Sequence, residues 1–430
     1  MHVQSLQIEN FRRFEKFECE FDPQLTLLMG VNGAGKSSLL KAIALPISNA
    51  LLLGGWIGSL PFERADVRST YSEDPSNESW KNVCFPASLT VGLGIGERRV
   101  ALRMEHSPLS AQMHHQGDSS NNEWVQGLHL FLGQTSRWFS SDNSAPIPLL
   151  ARFGVSTPRS GDLQAVAVRP FDEKKQLWER FIDDTIDVSR LAQWFQYNEY
   201  RSLQEGKEPL IFRAAKEAVI SATHAQDIKF VVRENRLMLH FAADGWRPFD
   251  ELSDGQRRLA GLFMEIAVRA SSLNSHLGDR CVAETPGLVL IDELDMHLHP
   301  KWQRSVIDDL LAAFPKLQFI VASHSPFLIQ SALERGIVID ASTGEQVDSM
   351  DHSIEDIAET VMGVEQPQRS RRFLEKRRLA QDYLELMETP TSTPEEREAL
   401  KLQLDEALAD FADDPAAAAW LKMQSVSKGF

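Results

Sequence analysis

The sequence predicts an α/β protein with a mixed core sheet, an inserted helical lobe and a helical C-terminal tail. Three observations lead there. Short apolar runs at Leu25–Met29, Leu288–Ile291 and Phe319–Ala322 are of the buried parallel-strand type. The spacing turns helical from Glu179 to Glu205 and again from Phe212 to Thr223, with Phe181, Ile182, Ile186, Leu191 and Trp194 on apolar positions. From Ile354 onward everything reads helical, in Arg371–Met387, Pro394–Phe411 and Pro415–Met423.

The first thirty residues read as strands: Val3–Ile8 alternates, Phe17–Phe21 follows, and Leu25–Met29 ends at Gly30. Leu89–Leu93 and Val100–Met104 form a hairpin, and Ser107–Asn122 is polar and weakly patterned, an exposed loop. His114–His115 within it has no third ligand nearby, so a solvated loop is favoured over a metal site. Leu149–Phe153 is another buried strand. Ile228–Val232 and Leu237–Phe241 make a second hairpin around Glu234 and Asn235, and a helix begins at Pro300. The middle helices are too short and irregular for a long coiled coil, and no internal repeat is present.

At 430 residues, 43% apolar and 25% charged, the chain has material for a large core in two or three units, which excludes disordered and fibrous classes. Lys and Arg number 45 against 61 Asp and Glu, a net charge of −16. So acidic a surface repels phosphate backbones, and nucleic acid would have to be met through a local basic patch or a partner. Cys19, Cys84 and Cys281 are scattered and form no CxxC, which points to a reducing cytoplasm. Ala42–Leu60 carries no charge, but Pro46, Asn49 and three glycines break it and it begins within the helix after a phosphate loop. A core element is expected there rather than a membrane span, and the protein is expected to be soluble.

Four elements carry chemistry. The strand Leu25–Met29 runs into Gly30-Val31-Asn32-Gly33-Ala34-Gly35-Lys36-Ser37 and then Ser38 and an apolar helix, the G-x-x-x-x-G-K-[ST] pattern in its strand–loop–helix setting. Glycines let backbone N–H groups of Asn32, Gly33, Ala34 and Gly35 curl around phosphate, Lys36 reaches β/γ oxygens, and Ser37 holds Mg²⁺. Leu288–Ile291 ends in Asp292-Glu293, where Asp292 would orient Mg²⁺ and Glu293 would polarise the attacking water. Between them, Leu252-Ser253-Asp254-Gly255-Gln256 precedes the helix Arg257–Ala270; Ser253 and the backbone at Gly255 sit where a helix N-terminus can take a γ-phosphate, and an ordinary N-cap and turn is the plainer alternative. Finally Phe319–Ala322 is followed by Ser323-His324, with His324 32 positions after Asp292 (324 − 292).

In this order the four elements resemble the ABC-type ATPase superfamily, a branch of P-loop NTPases. Ile8-Glu9-Asn10-Phe11-Arg12 and Asp292-Glu293-Leu294-Asp295 through Leu298-His299-Pro300 resemble its soluble SMC-like, RecF-like branch rather than transporter motors. Leu252–Gly255, Leu149–Arg159 and the helical tail are most similar to ATPase subunits of bacterial antiphage systems, the Septu and retron-associated kinds. The resemblance covers roughly residues 1–340. It implies an ABC-ATPase head that takes ATP and Mg²⁺, in a homodimer whose every site joins Lys36, Ser37, Asp292, Glu293 and the γ-phosphate-sensing His324 of one chain to Ser253, Gly255 and Gln256 of the other. Asp254 departs from the family glycine and is expected to point away from phosphate and cap its helix. Gln164 is the candidate coupling glutamine and metal ligand by position only. Arg12 or Arg13 touches the nucleotide, or both are exposed cations.

The expected organisation is an ATPase lobe over residues 1–160, a helical insertion and hairpin over 161–245, the signature, acidic strand and His324 over 246–345, and a partner-binding tail over 346–430. Arg369–Arg378 holds six basic residues and one acid, which could meet nucleic acid, a partner's acidic face or the chain's own surface, or be a solvated helix face. Leu400, Leu404, Leu408 and Phe411 form a stripe that suits a core; in the resembling ATPases the C-terminal helices bind the effector. No nuclease cluster is readable, so a separate nuclease of HNH kind is the expected partner, with nucleic acid reached through the complex and higher assembly of dimers left open. A repair ATPase that clamps DNA directly is the competing reading.

Overall fold

Two antiparallel strands open the chain, His2–Phe11 (β1) and Phe14–Glu20 (β2), followed by the wholly buried Leu25–Met29 (β3) and the helix Lys36–Leu53 (α1). The structure, a computed structural model, describes residues 1–58, 60–71, 81–107, 123–140, 144–155, 174–347, 353–362 and 378. A short pair, Ser69–Tyr71 (β4) and Lys81–Val83 (β5), precedes the hairpin of Ala87–Ile95 (β6) and Arg98–His106 (β7). Then come Glu123–Trp138 (α2), Leu149–Phe153 (β8), Lys174–Glu179 (α3), Val188–Glu205 (α4) and Leu210–Thr223 (α5). Asp227–Val231 (β9), Arg236–Phe241 (β10) and Gly245–Pro248 (β11) form a small sheet ahead of Asp254–Leu273 (α6) and Cys281–Glu284 (α7). Gly287–Ile291 (β12), Pro300–Ala313 (α8), Leu317–Ala322 (β13), Pro326–Arg335 (α9), Ile337–Asp340 (β14) and Ile354–Asp356 (α10) follow.

The centre is a five-stranded parallel sheet in the order β14-β3-β13-β12-β8. Every residue of β3, β12 and β13 is buried, as strands covered on both faces require. Beside it lies the antiparallel sheet β2-β1-β6-β7. The fold is thus the expected α/β P-loop architecture, with its parallel and antiparallel strands sorted into separate sheets. The sorting follows from connection length: hairpins pair antiparallel, whereas the long excursions after β3, β8 and β12 permit parallel return. The buried Gln318 bridges the sheets. Its amide oxygen accepts from the Val3 N–H at 2.7 Å, and its nitrogen donates to the carbonyls of Val3 (2.7 Å) and Asp22 (2.8 Å).

Two local expectations are corrected. Glu179–Glu205 is not one helix: α3 stops at Glu179 and α4 starts after an Asp187 N-cap, whose carboxylate accepts from the Arg190 N–H. Arg152 on β8 holds the break, bonding the carbonyls of Phe181 (3.4 Å) and Ile182 (2.6 Å) and the carboxylate of Asp184 (3.2 Å), so these carbonyls are claimed from outside the helix. And α1 does not break at Pro46 but runs through it to Leu53. By length and composition α1 could cross a membrane, yet 72% of it is buried inside the protein, packed on β1, β6, β7 and β13.

Contacts divide the chain into Met1–Ile354 and Glu355–Phe430. Of the second unit, Ile357–Val361 is described and helical. The segments Arg371–Met387 (apart from Arg378), Pro394–Phe411 and Pro415–Met423, most of the basic run Arg369–Arg378, the loop bearing His114 and His115, and Gln164 lie outside the described residues.

Gly287 shows how tightly β12 is seated. It takes φ +150°, and a Cβ there would stand 2.0 Å from the Leu149 carbonyl oxygen of β8. Gly287→Ala is therefore expected to cost about 2 kcal/mol or more of unfolding free energy, read by urea denaturation; wild-type stability would contradict this packing.

Candidate nucleotide site

The site gathers at the C-terminal ends of β3, β12 and β13, where adjacent parallel strands deliver their following loops to one edge. After β3 the chain turns back on itself, the Ala34 N–H donating to the Val31 carbonyl at 3.0 Å. Gly35 ends the loop in the left-handed region at φ +101°, and a Cβ there would strike the Phe14 ring at 2.4 Å, so only glycine serves. The Lys36 side chain folds over this loop: Nζ donates to the carbonyls of Gly30 (2.6 Å) and Val31 (3.2 Å). Burial lowers the lysine's pKa, while the fields of Asp292, Glu293 and Asp295 pull the other way. The parallel order β3-β13-β12 brings the phosphate loop and the acidic strand end to the same edge of the sheet. Ser37 is exposed and Ser38 half-buried.

Both N-terminal arginines lie against this loop. Arg12 donates to Ser38 Oγ at 3.2 Å and pairs with Asp66 at 2.8 Å, while Arg13 donates to the Gly33 carbonyl. Asp66, 1% exposed, also binds Lys41 of α1. Burial alone would raise the Asp66 carboxyl, but hydrogen bonds from Lys41, the Glu63 N–H and Arg12 outweigh it and hold the group below the ordinary range. Nothing in the local sequence pattern marked Asp66, because its partners come from two distant elements.

On the acidic side, the Asp292 N–H bonds the Phe153 carbonyl at 2.8 Å and Glu293 takes φ +49°. Asp292 Oδ1 is buried with no hydrogen-bond partner among the described residues. An orphaned carboxylate oxygen at the end of β12, on the same sheet edge as the exposed Ser37 at the end of the phosphate loop, fits a hard divalent cation and its phosphate ligand. His324 does not stand alone either: its Nε2 lies 3.6 Å from Asp295 Oδ2, and Asp295 accepts from Ser323 Oγ at 2.5 Å. Asp295 is thus the carboxylate that faces His324, a neighbour the sequence pattern did not assign.

The signature segment behaves differently. Ser253 caps α6 in a reciprocal box: its hydroxyl accepts from the Gln256 N–H at 3.3 Å, and Gln256 Oε1 accepts from the Ser253 N–H at 3.1 Å. The helix cap is therefore Ser253, not Asp254, whose exposed carboxylate instead takes a bond from Arg257. Gly255 is buried, a Cβ there meeting the His297 carbonyl at 2.3 Å. Within one chain, then, the loops that carry Lys36, Asp292 and His324 open on one edge of the sheet and His324 lies 3.6 Å from Asp295, while Ser253 and Gln256 bond each other at the surface.

A family model described as AAA ATPase domain matches residues 1–230, and an AAA domain model matches residues 170–330. The chain is similar to Retron Vc95 probable ATPase of Vibrio cholerae serotype O1 biovar El Tor, 22% identical over 404 residues that cover 79% of this chain and 73% of that one. It is also similar to Septu protein PtuA of Bacillus thuringiensis, 24% identical over 379 residues and 85% of each chain. Among solved structures, the SmcHead bound to the C-winged helix domain of ScpA covers 81% of this chain and 97% of that one, at 15% identity and a TM-score of 0.47. With a matched phosphate loop, an acidic strand end on the same sheet edge and a family match over more than half its length, the chain belongs to the AAA ATPase domain family.

Proposed function

We propose that this chain is the ATP-binding and hydrolysing subunit of a bacterial antiphage defence complex, a homodimer around ATP that regulates a separate effector nuclease of HNH kind. The observation that carries the hydrolytic part is the buried Asp292 Oδ1, unpartnered among the described residues, at the end of β12, on the same sheet edge as the phosphate loop that ends in Lys36 and Ser37. The likeness to the Septu and retron proteins over most of the chain supports the defence part.

Backbone N–H groups of Asn32, Gly33, Ala34 and Gly35 bind the β-phosphate, and the Lys36 ammonium leaves its loop carbonyls for the β/γ oxygens. Glu293 accepts a proton from the water that attacks the γ-phosphorus. His324, which faces Asp295, donates to the γ-phosphate. Ser37 and Asp292 would hold Mg²⁺, and Gln164 is a further candidate from its place in the sequence alone; when bound, the ion would neutralise charge on the β- and γ-phosphate oxygens. The exposed Ser253 and the backbone N–H of Gly255 at the start of one chain's α6 complete the partner's site, and Gln256 keeps that cap in shape. Loss of the γ-phosphate on hydrolysis then loosens the dimer, and the C-terminal helices hold or release the effector accordingly.

The test is a pull-down of tagged, full-length Glu293→Gln from native lysate in ATP, with partners identified by mass spectrometry. A stoichiometric HNH nuclease is the expected partner. DNA retained without any nuclease would favour a repair clamp, and no partner in any nucleotide state would end the effector reading.

A further inference from the structure

Arg258 is the fifth residue of α6 and only 6% exposed. A buried guanidinium usually meets a carboxylate; this one spends its donors on main-chain carbonyls. Nη1 donates to Val155 at 2.9 Å, and Nη2 donates to Gly154 at 3.3 Å, Asp292 at 2.9 Å and Glu293 at 2.9 Å. Nη1 also lies 3.9 Å from Met296 Sδ. Burial lowers the pKa of Arg258, and Glu293, Asp295 and Asp292 oppose that.

The four carbonyls belong to the chain leaving β8 and the chain leaving β12, which are neighbours in the parallel sheet. The second turns abruptly at Glu293, whose left-handed φ of +49° is sterically unfavourable for a non-glycine residue. Such a conformation persists only where the surroundings hold it. Here the carbonyls of Asp292 and Glu293 converge on one nitrogen of Arg258, the same two residues whose carboxylates are assigned to metal and water. One turn upstream on α6, Gly255 is packed on the His297 carbonyl, so the signature helix grips the segment 292–297 at two points.

We propose that Arg258 is the positioning residue of the hydrolytic centre. It holds the strained turn at Asp292 and Glu293 against the helix that starts at Ser253, and so fixes the carboxylates relative to the signature motif. Arg258 touches no nucleotide; it acts through the backbone of Glu293. The planar fork of arginine serves carbonyls on two chain segments at once, whereas a lysine ammonium has three donors on one atom and leaves a buried carbonyl without its bond. This inference rests on the ATPase reading for its kinetic consequence but not for its geometry.

The test uses Arg258→Lys and Arg258→Met in the full chain, with hydrolysis kinetics, ATP affinity and amide hydrogen exchange measured together. For Arg258→Lys, kcat is expected to fall roughly 30-fold or more, since small displacements of catalytic groups are costly. ATP affinity and KM should stay within about threefold, because binding machinery is untouched. Exchange at 292–297 should accelerate roughly tenfold while β1, β2 and β3 keep their protection. A merely structural role would instead loosen the sheets at large and leave kcat per folded molecule unchanged. Wild-type kcat, or unaltered exchange at 292–297, overturns the proposal. If the wild-type chain turned over no ATP, the hydrolysis reading would fall while the exchange comparison still decided the place of Arg258; should Arg258→Met not fold, Arg258→Lys carries both readouts.

Discussion

Glu293→Gln is expected to bind ATP with near wild-type affinity and to hydrolyse it about 100-fold more slowly or worse, the range lost when a positioned general base is removed. The substitution is nearly isosteric, and the Glu293 backbone, not its side chain, makes the bond to Arg258, so the turn should survive. Lys36 keeps its bonds to the Gly30 and Val31 carbonyls, which leaves the phosphate loop intact. ATP that persists keeps the two chains joined, so the variant should run as a dimer on size exclusion in ATP and return to the smaller species in ADP. Turnover at the wild-type rate would remove Glu293 as the base; slow turnover without dimer accumulation would keep the base and remove the dimer.

Lys36→Ala should weaken ATP binding about 100-fold or more, equivalent to roughly 2.8 kcal/mol. The size of the effect comes from where Lys36 lies. Lys36 is a buried cation, and the acidic strand end of Asp292 and Glu293 opens on the same sheet edge. Without it the triphosphate meets that acidic group uncompensated, in a site where water screens poorly. Binding of a fluorescent ATP analogue, at a concentration where the thermal midpoint shows the variant folded, measures this. Affinity within a few-fold of wild type would mean that the phosphates sit elsewhere.

Legibility in the sequence tracked locality. The strand, loop and helix at Leu25 through Leu53 could be read because each determinant lies beside the next: an apolar run, glycines at set spacing, then Lys36 and an apolar helix. The hairpin of Leu89–Leu93 with Val100–Met104 and the acidic end of β12 were legible for the same reason. The helix break at 180–187 was not, since Arg152, thirty positions upstream, supplies the bonds that compete with the helix. Nor was Pro46 a stop: packing between two sheets carried α1 through it, tertiary burial outweighing one lost hydrogen bond.

The site divides along the same line. Residue types at fixed spacing along the chain are what assign Lys36, Ser37, Asp292, Glu293 and His324 to the proposed nucleotide chemistry, because phosphate binding draws on contiguous backbone N–H groups and a helix end that local sequence encodes. Asp295 under His324, Asp66 behind Arg12 and Arg258 across the Asp292 and Glu293 carbonyls have no such signature. Each is a polar group made buried by elements far apart in sequence, and its partner is whichever group the folded strands bring within bonding distance. For Asp295 and Arg258 the strand order β13-β12-β8 chose those partners, and strand order is a property of the packed sheet rather than of any segment in it.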